Sequence, residues 1–223
     1  DGYYQVRRYA AEYLAPLGVT VVEAAATQMC EAAQHADVVL AETPVNPTLD
    51  VVDLHRLATT CRSRGAVLVV DNTTATPLGL QPLSLGADLV VASATKALSG
   101  HSDLLAGYVA GSHPALLAAV ERDRLLAGPV LGTFEAWLVL RSLGSAGLRI
   151  DRQCRNAQAV ALMLRDHPAV RAVRYPGLPQ DPSHPIAVEQ MRRFGGLVSV
   201  ELADADAVHQ LVDRSRATLH GPA

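Results

Sequence analysis

Between Val19 and Ala110 the chain alternates short β-branched runs with helical patterns, and this constrains the fold more than any other feature. Strands joined by crossover helices must lie parallel, so the pattern predicts an α/β fold built on a mainly parallel sheet. The predicted strands are Val19–Val22, Val38–Ala41, Val67–Val70, Leu89–Ala92 and Gly107–Ala110. Asp53 can cap a helix whose Leu54, Leu57, Ala58 and Cys61 fall at i, i+3, i+4 and i+7, with Gly65 ending it. Val67–Val70 is apolar throughout rather than alternating, which predicts a central strand covered on both faces.

Beyond Gly111 the pattern changes. Pro114–Ala127 reads as a helix, Gly128-Pro129 breaks it, and Phe134–Arg165 is helix-compatible for an unusual length, with a weak point at Gly144–Gly147. A connecting helix of this kind marks a domain joint. Val170–Tyr175, the turn-rich Pro176–Pro185 and the strand-like Leu197–Leu202 then predict part of a smaller C-terminal α/β domain. The expected division is a large domain over 1–141 and a partial C-terminal domain over 142–223.

At 49% hydrophobic and 18% charged, 223 residues suffice for a core. A net charge of −3 without a run of Lys or Arg offers no footprint for nucleic acid or an anionic membrane, so a small-molecule partner is expected. No apolar stretch has the length of a membrane span, and Asp1-Gly2-Tyr3-Tyr4 does not begin a signal peptide, so a cytoplasmic setting is expected. Cys30, Cys61 and Cys154 are odd in number and widely spaced, which favours buried thiols over disulfides or zinc.

Of the 19 basic residues one alone, Lys96, is lysine. Arginine can replace lysine in ion pairs, but a guanidinium cannot act as a nucleophilic amine. Lys96 lies in Ser93-Ala94-Thr95-Lys96, after a predicted strand. Asp71 follows another, and Asn46 sits in Glu42-Thr43-Pro44-Val45-Asn46-Pro47. Strand ends of a doubly wound sheet gather ligands, so one crevice can collect all three. Lys96 suits an imine with an aldehyde, Ser93 and Thr95 a phosphate monoester, and Asp71 a protonated ring nitrogen. Asn46 can donate to a phenolate or a substrate carboxylate, and Tyr3 can lie on a planar ring and deliver a proton. This set matches pyridoxal 5′-phosphate.

Each residue also has an ordinary reading: Asp71 as a turn former, Asn46-Pro47 as a turn, Tyr3 as surface. The conjunction outweighs them. Ser99, His101 and Asp103 are too close in sequence to form a catalytic triad, and the other histidines show no metal-ligand spacing. An aspartyl-phosphate or nucleotide-hydrolase reading of Val69-Val70-Asp71 fails for want of a phosphate-binding loop and a second acid.

Glu42-Thr43-Pro44-Val45-Asn46-Pro47-Thr48, Val69-Val70-Asp71-Asn72-Thr73 and Gly86–Lys96 with Gly100-His101-Ser102-Asp103 resemble the Cys/Met-metabolism family of pyridoxal-phosphate enzymes. The resemblance continues through Arg141, Leu143, Leu148-Arg149, Asn156-Ala157, Tyr175–Leu178 and Phe194-Gly195-Gly196. It implies an aspartate-aminotransferase-like (fold type I) domain and a carbon–sulfur lyase of sulfur amino acid metabolism. Cystathionine γ-lyase is the favoured member; γ-synthase, β-lyase and methionine γ-lyase are alternatives. It further implies Lys96 as the Schiff-base lysine, Asp71 as the partner of the ring nitrogen, Ser93 and Thr95 as phosphate ligands, Asn46 beside the phenolic oxygen and the substrate carboxylate, and Tyr3 as the ring-stacking tyrosine.

The chain has Tyr4 and Gln5 where the family usually has glycines, which leaves Tyr3 and Tyr4 as alternatives. The family also implies a homo-oligomer, a dimer of dimers whose cofactor phosphate is completed by a neighbouring subunit. The chain is expected to be a fragment, short of the N-terminal arm and phosphate loop, and Ala217–Ala223 departs from the family's ending. A different class of function, a non-catalytic remnant associating with an intact subunit, is the competing expectation.

Overall fold

The computed structural model describes residues 2–215. In chain order the elements are α1 (Tyr4–Tyr9), α2 (Met29–Ala32), β1 (Val38–Glu42), α3 (Leu54–Arg64), β2 (Val67–Asp71), α4 (Thr76–Gly79), β3 (Leu89–Ser93), β4 (Gly107–Gly111), α5 (Pro114–Ala127), α6 (Thr133–Arg165), β5 (Val170–Arg174), α7 (His184–Gln190), β6 (Ser199–Leu202) and α8 (Ala205–Arg214). The first four strands form one sheet in the order β1-β2-β3-β4. β1, β2 and β3 run parallel. β4 returns antiparallel, because the chain between it and β3 is a turn and loop rather than a crossover helix.

α3 follows from local chemistry. The Asp53 carboxylate accepts from the Arg56 N–H at 2.9 Å, and Gly65 closes the helix in the left-handed conformation at φ 70°. Its buried residues Leu54, Leu57, Ala58 and Cys61 pack with Val39, Ala41, Leu68 and Val70 on one sheet face. The opposite face, bearing Val38, Leu40 and Val109, stays open: these side chains are 61%, 44% and 41% exposed.

That openness corrects the expectation of a β2 strand covered on both sides. Leu68 and Val70 are fully buried, whereas Val67 and Val69 are only partly covered. An apolar run reports readiness for burial and does not supply the second layer. The predicted strand Val19–Val22 is likewise absent: these residues form no ladder, β1 has no partner on its outer edge among the described residues, and Val19 and Val22 are exposed. β-Branched residues favour a strand only when a neighbour accepts its hydrogen bonds.

α6 runs unbroken through Gly144 and Gly147, so the expected weak point does not interrupt it. Ser142, Ala146, Ile150, Ala157 and Ala161 are its buried residues, and their burial offsets the backbone cost of the two glycines. β5 and β6 form a separate antiparallel pair. The segment between them returns to the main sheet, where Ala187 and Met191 join the core made by α3 and β2. Polar bonds fasten it there: Val51 N–H to Ser183 Oγ at 2.9 Å, Leu54 N–H to Gln190 Oε1 at 3.1 Å, and Arg193 Nη1 to the Leu78 carbonyl at 3.0 Å.

Candidate active site

Parallel strands end their ladders together, so their last residues gather on one edge of the sheet. Glu42 ends β1, Asp71 ends β2 and Ser93 ends β3; Glu42 is paired with Asp71, and Asp71 with Val91. By this register all three end residues belong to the open face.

Asp71 Oδ1 accepts from the Thr73 N–H at 2.8 Å, folding the chain into a tight turn. Thr73 Oγ1 in turn accepts from the Ser93 N–H at 2.8 Å. This links the ends of β2 and β3 through one threonine. Asp71 Oδ2 and Ser93 Oγ make no hydrogen bond to any described residue. The nearby Tyr108 phenol, on β4, is held above its usual range by burial and then by the Asp71 charge.

The first edge is organised by Glu42, a residue to which sequence reasoning gave no role. Its Oε2 accepts from the Tyr3 N–H at 2.8 Å and its Oε1 from the Asn46 N–H at 2.9 Å. One carboxylate thereby ties two sequence-predicted site residues to the sheet. Burial raises its pKa, the two backbone donors oppose that rise, and Asp71 adds to it. The Asn46 side chain is exposed, between the cis bonds Thr43-Pro44 and Asn46-Pro47. Tyr3 is 41% exposed, and its ring meets the Tyr4 ring edge-on at 5.2 Å.

Lys96 occupies the turn that follows β3, exposed, with its ammonium bonded to no described residue. Thr95 anchors the turn from the front. Its hydroxyl donates to the Ala106 carbonyl at 3.2 Å and accepts from the Ala106 N–H at 2.9 Å. A hydroxyl so engaged reaches a phosphate only by giving up its bond to the carbonyl; Ser93 carries no such commitment. Ser99 is fully buried and donates to the Thr95 carbonyl at 2.8 Å, so it serves the turn and not a nucleophilic triad.

Behind Lys96 the turn is gripped by Arg149 of α6, a second residue without a sequence-derived role. Its guanidinium donates to the Ala97 carbonyl at 2.8 Å and to the Leu98 carbonyl at 2.7 Å. No local pattern announces this contact, because it spans 52 positions of the chain. Glu42 did leave a signal, since it ends an apolar strand in the same way as Asp71.

The predicted site residues leave without partners a carboxylate oxygen, an amine, a hydroxyl and a side-chain amide, all on loops or strand ends at one edge of the sheet. A group carrying a basic ring nitrogen, an aldehyde, a phosphate and a phenolate needs that donor set, so the residues present fit pyridoxal 5′-phosphate. Among the described residues no cluster of His, Cys, Asp and Glu could hold a metal ion, and no helix is long and apolar enough to cross a membrane.

A family profile described as Cys/Met metabolism PLP-dependent enzyme matches residues 1–221. A Streptomyces coelicolor protein provisionally named cystathionine gamma-lyase is 50% identical over 175 residues, 78% of this chain and 45% of its own. A cystathionine beta-lyase of Coxiella burnetii is 42% identical over 175 residues, again 78% and 45%. The crystal structure of metB from Corynebacterium glutamicum superposes with a TM-score of 0.86 at 37% identity, covering 91% of this chain and 54% of the other. The chain thus spans about half the length of the relatives it matches.

Proposed function

The chain belongs to the Cys/Met-metabolism family of PLP-dependent enzymes, and from that premise we propose that Lys96 carries the cofactor in a carbon–sulfur lyase acting on a sulfur-containing amino acid. The observation that carries the proposal is the set of unpartnered groups of Lys96, Asp71, Ser93 and Asn46 at one sheet edge. The favoured reaction is that of a cystathionine γ-lyase, giving cysteine, 2-oxobutanoate and ammonia; the relative at 50% identity supports this choice. β-Lyase, γ-synthase and methionine γ-lyase activities are the alternatives within the same chemistry. The proposal takes the full protein to be a cytoplasmic homotetramer, a dimer of dimers.

When bound, pyridoxal 5′-phosphate supplies a ring that accepts the electron pair left on the substrate's Cα. The Asp71 carboxylate keeps the ring nitrogen protonated. Ser93 and the N–H groups of the following turn would hold the phosphate, joined by Thr95 once its hydroxyl leaves the Ala106 carbonyl. Lys96 Nζ would act as the general base that takes the substrate's Cα proton and then, for γ-elimination, its Cβ proton. The Asn46 amide orients the substrate carboxylate. The Tyr3 phenol would lie against the ring and donate its proton to the departing thiolate sulfur.

Borohydride reduction of the parent-length protein in the presence of pyridoxal 5′-phosphate, followed by peptide mass mapping, tests the assignment. The expected adduct lies on Lys96. An unmodified Lys96 peptide in a protein that retains the cofactor overturns it. Release of 2-oxobutanoate from cystathionine, compared with pyruvate, then separates γ- from β-elimination.

A further inference from the structure

We propose that Arg149 is the positioning residue for Lys96, acting through the turn that carries it; the inference rests on Lys96 being the cofactor's amine. A lysine side chain has four flexible carbons, so the placement of its amine is only as good as the placement of its backbone. The Lys96 turn has few ways to be placed. It carries no regular secondary structure, and its carbonyls at Ala97 and Leu98 cannot be satisfied within a sheet or helix.

Arg149 meets that need with an unusually complete use of its donors. Nη1 binds the Ala97 carbonyl at 2.8 Å, and Nη2 binds the Leu98 carbonyl at 2.7 Å. Nη2 also binds the Ser142 carbonyl at 2.9 Å, and Nε binds Ser145 Oγ at 3.0 Å. The last two bonds lock the guanidinium to its own helix, so the turn is tied to the rigid body of α6. Ala146 and Ile150 of the helix pack with Ala94 and Leu98 of the turn, which adds an apolar contact to the polar clamp. A planar fork with fixed donors suits two successive carbonyls; an ammonium does not.

Gly100 makes the approach possible. A Cβ added there would collide with the Arg149 guanidinium, and the residue has φ of +70°. Its own N–H donates to the Lys96 carbonyl at 2.8 Å. The glycine therefore closes the turn and also leaves room for the guanidinium. Substitution at either position should loosen the same turn by different means.

The test compares Arg149→Gln, Arg149→Ala and Gly100→Ala with Arg193→Gln in the parent-length protein. Arg193 is a suitable control because it also bridges α6 to the large domain, through Asp151 and the Leu78 carbonyl, without touching the Lys96 turn. The first readout needs no cofactor: amide hydrogen exchange at Ser99 and Gly100, whose N–H groups donate to the Ala94 and Lys96 carbonyls. Exchange is expected to quicken by at least about tenfold in the Arg149 and Gly100 variants and to stay unchanged in Arg193→Gln.

The second readout is the half-saturating concentration of pyridoxal 5′-phosphate for borohydride trapping on Lys96, expected to rise at least about tenfold in the same three variants. Added guanidinium ion should restore part of the affinity of Arg149→Ala, which a general loss of packing would not allow. Wild-type exchange in Arg149→Gln, or an equal effect of Arg193→Gln, overturns the inference. Trapping on no lysine in the wild type, with the exchange pattern as expected, leaves the clamp standing and overturns the cofactor assignment instead.

Discussion

At the residue scale the site divides into groups that face outward unpartnered and groups that hold them. Asp71→Asn separates the two functions of one side chain. The amide oxygen can still accept from the Thr73 N–H, so the turn should persist, while the charge that keeps a ring nitrogen protonated is gone. Cofactor trapping on Lys96 should survive, and turnover should fall at least about a hundredfold; unchanged turnover would leave Asp71 as a turn former. Tyr175 offers a test of burial. Its phenol is fully buried, bonded to the Gly195 carbonyl at 3.2 Å, and burial lifts its pKa well above the ordinary tyrosine value, with the neighbouring Cys154 adding to the rise. The folded state therefore keeps the proton that the unfolded chain gives up above about pH 10. This contribution is complete below that pH and is lost as pH rises toward the folded value. Denaturant titrations at about pH 9 and about pH 11 should show a larger loss for wild type than for Tyr175→Phe; equal losses would refute the assignment. Lys96 was legible in the sequence because it is unique, and Asp71 because it ends an apolar strand. Glu42 ends its apolar strand as Asp71 does, but its bond to Tyr3 across 39 positions, like that of Arg149 to Ala97 across 52, exists only once the sheet edge is assembled.

Among the elements, those specified by local chemistry were the readable ones. α3 has its cap, its buried stripe and its terminal glycine in one stretch, and Asp53→Ala should cost about 1 kcal/mol by thermal or denaturant unfolding. The parallel strands announced themselves through apolar runs bounded by Asp, Gly and Ser. Val19–Val22 has the same composition and forms no strand, because pairing is a property of two segments and no single segment declares its neighbour. α6 gives the opposite lesson: its glycines looked like an interruption, yet the helix is fixed by what its other side buries. A Cβ at Gly144 or Gly147 would meet nothing within 4 Å. Each substitution by Ala should therefore stabilise the protein by roughly 0.5–1 kcal/mol. A loss of stability in both variants would mean that the helix interior is strained there.

For the whole molecule, the dominant fact is a sheet with one face packed and one face open. Val38, Leu40 and Val109 lie on that open side, and an apolar surface of this kind drives association. Sedimentation of the 223-residue chain should show concentration-dependent self-association, and Leu40→Glu should reduce it; a monodisperse monomer at all concentrations would contradict this reading. The placement of Lys96 on an exposed turn has a separate consequence, for proteolysis. A lysine-specific endoprotease has a single substrate bond in this sequence, after position 96, and the turn presents it at the surface. Digestion should yield only 1–96 and 97–223, and a molecule whose amine is covalently occupied should survive intact. The ratio of cut to uncut chain on a gel thus counts how many molecules carry a derivatised lysine, without reference to colour or turnover.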